Sequence, residues 1–266
     1  MPFFYSFDHL KVHYKTYGSG KPLLFLHGIP GNLDNWRHLA PLLEGEFLIV
    51  TLDLRGYGLS DKPEKFTMMD HVRDVLTLME KLEIDPTEAF LIGHSYGTMV
   101  SLMLCSMRPV RGLVLISPPS ELRKDITDFM ILHFPSWIWK PLLFSRNAIT
   151  TRLYRKLFFS PKTPPRIYEE FIQDNANYMN SLPVQSFKNP STFEYRVEEY
   201  AGKVKTDVLV VVGSDDKIVP REDAKKVAEV LNAEFVEISN AGHMVLYEKP
   251  EELADAIRRF CLLRDG

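Results

Sequence analysis

The chain has 266 residues, of which 45% are hydrophobic and 25% are charged, and its formal net charge is −3. This composition is typical of a globular protein large enough for one domain with an insertion. The weak negative charge, without a basic stripe, argues against nucleic acid as a partner. The two cysteines, Cys105 and Cys261, lie in apolar helical patterns. We therefore expect neither a disulfide framework nor a metal site, and no cofactor.

Residues 3–17 are expected to form two strands. Polar and apolar residues alternate over this region, and a period of two is typical of a half-buried antiparallel strand. On such a strand His9 and His13 share one face, which we expect to be exposed to solvent. The first residues lack the basic region and apolar core of a signal peptide, and no apolar run is long enough to cross a bilayer. We expect a cytoplasmic protein without stable membrane insertion.

Strands and helices then alternate along the chain. Continuous apolar runs predict strands that are buried on both faces, at residues 23–26, 47–52, 90–92 and 113–116. Apolar residues at helical spacing predict helices between these strands, at residues 72–82 and 99–107. Thr67 and Asp70 supply a capping box for the first of these helices. The alternation predicts a parallel α/β sheet.

Residues 93–97, Gly-His-Ser-Tyr-Gly, lie between an apolar strand and an apolar helix. In this context Gly-x-Ser-x-Gly indicates a nucleophile elbow, in which Ser95 occupies a strained turn and its hydroxyl projects clear of the sheet. Gly93 and Gly97 carry no side chain that would collide in so tight a turn. The N–H of Tyr96 is left free at a helix N-terminus, where the dipole favours a developing negative charge.

The alternation stops between about residues 120 and 200, where prolines cluster and aromatic residues punctuate helix-like segments. It resumes afterwards, with predicted strands at residues 207–213 and 234–239 and predicted helices at residues 221–231 and after Pro250. We therefore predict a core domain of residues 1–119 and 203–266. A helical cap, residues 120–202, is inserted into this core after the sixth strand.

A serine hydroxyl needs a base within hydrogen-bond reach and a carboxylate that orients the base. Both residue types follow the insertion. Asp215 and Asp216 come after one predicted strand, and His243 comes after the last. Ligands collect at the carboxyl edge of a parallel sheet, where these loops meet. The chain order of serine, aspartate and histidine is that of an α/β-hydrolase, not of chymotrypsin or subtilisin.

The chain resembles the α/β-hydrolase superfamily, and within it the capped branch of esterases, lipases, epoxide hydrolases and haloalkane dehalogenases. The resemblance rests on five motifs in the family's order: His27-Gly28-Ile29-Pro30-Gly31, Asp53-Leu54-Arg55-Gly56-Tyr57-Gly58-Leu59-Ser60, Gly93-His94-Ser95-Tyr96-Gly97, Gly213-Ser214-Asp215-Asp216 through Pro220, and Gly242-His243. It implies an α/β-hydrolase fold with a mostly parallel eight-stranded sheet flanked by helices. It does not extend to the insertion, which varies most in this family and sets substrate choice.

The resemblance implies a role for each matching residue. Ser95 matches the nucleophile and His243 the general base. Asp216 matches the family's acid, because it stands three residues after the glycine that ends the strand and four before the proline. Asp215 is the alternative.

The oxyanion hole implied by the resemblance consists of the N–H groups of Ile29 and Tyr96. Pro30 has no N–H and cannot contribute. We expect His94 to point away from the nucleophile and to bond or pack under the elbow, and Arg55 to tie down the glycine-rich loop.

Ser95 departs from the pattern of the dehalogenases and epoxide hydrolases. Those enzymes attack an sp³ carbon with an aspartate and form an ester that water opens, whereas a serine would form an ether that water does not readily cleave. The serine therefore indicates acyl transfer, and we predict a carboxylic ester hydrolase of the esterase or lipase type acting on a small-molecule ester. A C–C bond hydrolase, an amidase or aminopeptidase, and a non-catalytic receptor are the alternatives.

Residues 129–144 concentrate apolar surface in a short segment of the predicted cap. Phe129, Phe134, Trp137 and Trp139 are predicted to line an acyl pocket over the sheet edge, which favours uncharged, medium-chain acyl esters. Packing of the cap onto the core is an equally good interpretation of each residue. A surface patch in contact with lipid is the third. For assembly we expect a monomer or a homodimer.

Overall fold

The protein is described here by a computed structural model that covers residues 2–124, 126–144 and 147–264. Its strands are β1 (Phe3–Tyr5), β2 (Lys11–Gly18), β3 (Lys21–Leu26), β4 (Phe47–Leu52), β5 (Phe90–His94), β6 (Gly112–Ile116), β7 (Val208–Gly213) and β8 (Glu234–Ile238). They form one eight-stranded sheet in the order β1-β2-β4-β3-β5-β6-β7-β8. β2 is antiparallel to β1 and β4, and the other neighbouring strands run parallel. The predicted mostly parallel eight-stranded sheet is confirmed.

The helices in the described part of the chain are α1 (Met68–Lys81), α2 (Tyr96–Met107), α3 (Ile126–His133), α4 (Ser136–Leu143), α5 (Ala148–Phe158), α6 (Pro165–Ser181), α7 (Gln185–Lys188), α8 (Arg221–Leu231), α9 (Val245–Glu248) and α10 (Pro250–Leu262). Every residue of β5, β6 and β7 is buried, as expected for strands covered on both faces. Thr67 and Asp70 form the predicted capping box of α1. None of these helices is long and apolar enough to cross a bilayer.

The segment between β6 and β7 contains α3 to α7, and these helices fall within the range predicted for the cap. The two ends of the segment meet at an isolated bridge between Glu121 and Arg196. Beside this bridge the N–H of Leu122 donates to the carbonyl of Tyr195 at 3.0 Å. The insertion therefore leaves and re-enters the core at one place, at the carboxyl edge of the sheet.

The expectation that His13 faces solvent was wrong. Its side chain is buried, and its Nδ1 lies 2.7 Å from Oδ2 of Asp53. The alternation of residue types showed that one face of β2 is polar, but not that this face is covered. Asp53, at the end of β4, also accepts the N–H groups of Leu33 and Leu59. The pair thus anchors the loops that follow β3 and β4 to the antiparallel edge of the sheet.

Candidate active site

Ser95 lies in the tight turn between β5 and α2, with φ 51° and ψ −116°. A Cβ at Gly97 would lie 2.0 Å from the carbonyl oxygen of Leu26, and one at Gly93 would lie 2.6 Å from the carbonyl carbon of Gly97. Only glycine fits at either position. The strained backbone at Ser95 is therefore held by close packing on both sides, as a nucleophile elbow requires.

The imidazole of His243 is oriented by a carboxylate. His243 is buried in the loop after β8, and its Nδ1 lies 2.9 Å from Oδ2 of Asp216, in the loop after β7. The other carboxylate oxygen, Oδ1, accepts the N–H groups of Ile218 and Val219, each at 2.9 Å. Both oxygens of Asp216 are thus occupied, and the carboxylate cannot rotate freely.

Burial raises the pKa of the Asp216 carboxyl, but the His243 imidazole and the backbone donors outweigh this effect and hold the pKa below its ordinary value. The group is therefore an anion at neutral pH. An anion at this position keeps the proton of His243 on Nδ1, so that Nε2 is left as the basic nitrogen.

The alternative acid, Asp215, does not contact the imidazole. Its Oδ2 accepts the hydroxyl of Ser160, a cap residue, at 2.5 Å. Of the two carboxylates, it is Asp216 that contacts the imidazole of His243. The structure thus places these two carboxylates in different environments.

His94, the residue before Ser95, supports the loop that carries His243. Its Nε2 donates to the carbonyl oxygen of His243 at 2.9 Å, and the two rings lie 4.9 Å apart. Burial, reinforced by the neighbouring His243, lowers the pKa of His94 to about 3, so the ring stays neutral. His94 therefore links the tight turn of Ser95 to the loop that carries His243.

The two N–H groups predicted for the oxyanion hole flank Ser95. Tyr96 is the first residue of α2, and Ile29 belongs to the loop after β3. Gly28 brings that loop close to the elbow, since a Cβ there would lie 3.1 Å from Cβ of Ser95. Neither N–H donates to another group within the described residues. The side chain of Tyr96 is buried against Phe193 and leaves the backbone as the group that can bind an anion.

His27 braces the oxyanion loop. Its Nδ1 donates to the carbonyl of Gly28 at 2.8 Å, and its Nε2 accepts the N–H of Leu54 at 3.0 Å. Burial lowers the pKa of His27, in agreement with a neutral ring that donates at one nitrogen and accepts at the other. Arg55 is likewise structural, since its guanidinium is buried against Asp74 and Asp8.

Ser95 and His243 line the same cavity, which has a volume of about 430 Å³. Its walls are mainly apolar. The cap contributes Ile131, Leu143, Phe144, Leu153, Leu157 and Phe158. Asp128 is the one carboxylate among the described lining residues. Such a cavity suits an apolar ligand whose reacting group reaches the sheet edge.

The four residues predicted to line the pocket are not among those that line this cavity, and that prediction was wrong. Phe129, Phe134 and Trp137 are exposed on the outside of the cap. Trp139 is buried within the cap, where it packs against Phe144 and Phe187. The apolar composition correctly indicated that this segment borders the cavity. Because the segment is almost uniformly apolar, its sequence does not show which side of each helix faces inward.

The spacing of α5 contains the signal that this prediction missed. Leu153 and Leu157 are four residues apart, and both line the cavity together with Phe158. The intervening Arg155 and Lys156 are exposed. This regular amphipathic pattern identifies the inner face of the helix.

Glu248, at the end of α9, is a buried residue that the sequence did not single out. Its Oε2 accepts the N–H of Gly242 at 2.7 Å, and its Oε1 accepts the N–H of Ser160 at 2.8 Å and the hydroxyl of Thr163. Burial raises the pKa of this carboxyl above its ordinary value. Glu248 thus joins the cap to the loop that carries His243.

The part of the chain that the structure describes contains no cluster of side chains that could bind a metal ion. No three histidine, cysteine, aspartate or glutamate side chains come together there as ligands for an ion. The arrangement can instead supply a nucleophile, a base, a carboxylate and two N–H donors around one apolar cavity.

This fold and this site define an α/β hydrolase. The sequence model of the alpha/beta hydrolase fold family matches residues 21–250, and the chain belongs to this family.

Individual relatives differ in their activities. A pyrrolizixenacetamide deacetylase from Xenorhabdus hominickii is 28% identical and covers 96% of each chain. A soluble epoxide hydrolase from Corynebacterium sp. (strain C12) is also 28% identical, over 94% of this chain and 93% of its own. The structure of a thermophilic esterase from Thermogutta terrifontis is similar in fold, with a TM-score of 0.84 at 21% identity over 100% of this chain and 99% of its own.

Proposed function

We propose that the protein hydrolyses carboxylic esters through an acyl-enzyme formed on Ser95. The observation that carries this proposal is the contact between Asp216 and His243 beside a cavity that Ser95 also lines. A carboxylate that holds a buried imidazole in one tautomer is characteristic of a general base that activates a neighbouring nucleophile. Membership of the family supports a hydrolase in general. Within that class, the residues of the site favour hydrolysis of an ester by a serine nucleophile.

In this mechanism Ser95 Oγ attacks the acyl carbonyl while His243 Nε2 takes the hydroxyl proton. The negative charge on the tetrahedral oxygen is stabilised by the N–H groups of Tyr96 and Ile29. His243 then returns the proton to the leaving alcohol. A water activated by the same imidazole attacks the acyl-enzyme and releases the acid. The carboxylate of Asp216 stabilises the imidazolium that forms in each half of the cycle.

Similarity to an epoxide hydrolase does not favour epoxide opening here. Attack of Ser95 on an epoxide carbon would leave an ether on the protein, and water does not readily cleave an ether. Attack on an acyl carbonyl leaves an ester, which the second half of the cycle opens.

The cavity supports uncharged esters with a medium-length acyl chain. Its walls are mainly apolar, and its volume of about 430 Å³ lies in the usual range for small-molecule sites. A charged acyl group would lose hydration there, and the described lining residues include no lysine or arginine to pair with it. We expect kcat/KM to rise from acetate to medium-chain p-nitrophenyl esters, and a maximum at acetate would contradict this assignment.

The test of the mechanism combines a covalent probe with hydrolysis. A fluorophosphonate should label the wild-type protein but not Ser95→Ala. The control Ser106→Ala should be labelled like the wild type, because Ser106 lies on α2 and its hydroxyl donates to the carbonyl of Met103. Ester hydrolysis by Ser95→Ala should fall by several orders of magnitude. If Ser95→Ala and Ser106→Ala hydrolysed the ester at equal rates, Ser95 would not be the nucleophile.

Hydrolysis of an amide by the same residues is the second candidate, since one of the relatives is named a deacetylase of an acetamide. A panel of ester, thioester, amide and dienone substrates on the purified protein separates it from the ester reaction and from C–C bond cleavage. A receptor with a disabled site would label slowly or not at all with the fluorophosphonate. The cytoplasmic location and the monomeric or homodimeric state stay predictions.

A further inference from the structure

The outer surface of the cap carries a group of exposed apolar side chains on α3 and α4. Trp137 is 75% exposed, and its neighbours in this group are 38–50% exposed. We call this surface the apolar cap face, and its members are Phe129, Phe134, Trp137, Ile138 and Leu142. The other two tryptophans, Trp36 and Trp139, are at most 1% exposed.

The members of the apolar cap face lie together. The rings of Phe129 and Phe134 are 6.2 Å apart at the junction of α3 and α4. Ile138 and Leu142 lie one turn apart on α4, and Trp137 directly precedes Ile138 on the exposed part of the same helix. Contiguous exposed apolar surface of this kind marks a binding surface more often than chance exposure does.

Positive charge is concentrated in the same part of the chain. Residues 120–163 contain eight Lys and Arg and three Asp and Glu, a net charge of +5 in a chain whose total is −3. On α5 the exposed side chains of Arg152, Arg155 and Lys156 form no ion pair with a described carboxylate. The hydroxyl of Thr150, on α5, donates to the carbonyl of Leu142 at 3.0 Å, so the start of α5 lies beside the end of α4, which carries part of the apolar cap face.

The opposite sides of these helices face the cavity. Ile131 on α3, Leu143 on α4 and Leu153 on α5 all line it. Whatever covers the apolar cap face therefore lies directly over the wall of the binding cavity.

We propose that the apolar cap face and the basic surface of α5 bind together to an anionic lipid bilayer. Aromatic and aliphatic side chains enter the boundary between headgroups and acyl chains, while lysine and arginine attract anionic headgroups. A second copy of the chain would bring two surfaces of the same positive sign together, which favours the lipid as the occupant. The further consequence, that acyl substrates reach Ser95 from the bilayer, rests on the proposed esterase function.

The tryptophans give this proposal a direct readout. Trp36 and Trp139 are already buried, so a change in fluorescence on adding vesicles reports Trp137. With phosphatidylcholine vesicles containing 30 mol% phosphatidylglycerol, we expect emission to move to shorter wavelength, and brominated lipid to quench it. Binding in a sedimentation assay should be roughly tenfold tighter than to phosphatidylcholine alone. Trp137→Phe should abolish the fluorescence change and retain binding.

Two variants divide the surface into its parts. Phe129→Ser/Trp137→Ser/Leu142→Ser removes apolar contact, and Arg152→Glu/Arg155→Glu/Lys156→Glu reverses the charge. Each should lose roughly tenfold or more of its binding to the anionic vesicles. The matched controls are Met107→Ser/Leu263→Ser, at exposed apolar positions outside the cap, and Lys203→Glu/Lys205→Glu, and both should bind as the wild type does.

Unchanged melting temperatures and unchanged hydrolysis of soluble p-nitrophenyl acetate show that each variant is folded. The proposal is overturned if the wild type binds neither vesicle, if the controls lose as much binding as the cap variants, or if the apolar variant only converts a dimer to a monomer. If the protein binds vesicles but hydrolyses no ester, the proposed docking surface stands and the proposed esterase function is rejected.

Discussion

Asp216→Asn tests the central contact of the site with little change of shape. In the native protein Oδ1 of Asp216 accepts two backbone N–H groups, from Ile218 and Val219, and Oδ2 faces Nδ1 of His243 at 2.9 Å. An asparagine at this position should keep its single side-chain oxygen facing the two N–H donors, because its NH₂ group is itself a donor and cannot bond to them. Its NH₂ therefore faces the imidazole.

This orientation reverses the tautomer of His243. Nδ1 must accept from the asparagine, so the ring proton moves to Nε2, and Nε2 can no longer take a proton from Ser95. Where an aspartate of this role has been replaced in other serine hydrolases, kcat falls by about 10⁴-fold. We expect about 10³- to 10⁴-fold here, which corresponds to about 4 to 5.5 kcal/mol in the activation free energy.

The assay is the steady-state hydrolysis of p-nitrophenyl butyrate at neutral pH, with melting temperature as the check on folding. Asp215→Asn is the matched control, because Asp215 contacts Ser160 of the cap instead of the imidazole. The control should keep its kcat within a few-fold of the wild type. A folded Asp216→Asn protein with a tenth or more of the wild-type kcat, or an equal loss in Asp215→Asn, would refute the reasoning.

Two further predictions concern the supports of the site. Gly97→Ala should destabilise the protein by several kcal/mol or prevent folding, because the new Cβ would lie 2.0 Å from the carbonyl oxygen of Leu26. Gly45→Ala, where a Cβ meets nothing within 4 Å, is its control in a thermal melt, and equal melting temperatures would count against the close packing. Glu248→Gln should lose about 1–3 kcal/mol in urea unfolding at pH 7, because an amide cannot accept every N–H and hydroxyl now bound to the carboxylate. Burial raises the pKa of Glu248 above its ordinary 4.5, so folded wild type takes up a proton before the unfolded chain does. Its advantage over Glu248→Gln should therefore widen as the pH falls through that raised pKa toward 4.5, and a constant difference would contradict this.

The core could be predicted from sequence because its constraints are local. Ser95 sits between two glycines whose missing side chains leave room for one backbone path, and the apolar runs on either side fix a strand and a helix. His243 follows the last strand, so strand ends alone bring it to the same edge of the sheet as Ser95. The choice between Asp215 and Asp216 is different, because it depends on a contact with His243, which is 27 positions away from Asp216.

Side-chain environments that depend on distant segments were not predictable in the same way. His13 has the alternation of an exposed strand face, yet the loop after β4 covers it. Glu248 stands two residues before the proline that begins the last helix, and an acidic residue near a helix N-terminus has an ordinary electrostatic explanation. Its contacts with Ser160 and Thr163 exist only because the cap returns across the loop of His243.

The cap does more than wall the cavity, because it contacts both the proposed oxyanion loop and the loop of the proposed base. On the oxyanion side the hydroxyl of Tyr178, on α6, donates to the carbonyl of Gly31 at 2.9 Å and accepts the N–H of Gly58 at 2.6 Å. On the base side Glu248 connects the cap to Gly242. A displacement of the cap would thus move the loops of Ile29 and His243 along with the apolar wall. In the proposed esterase, the same helices would therefore set both the fit of the acyl chain and the alignment of the reacting groups.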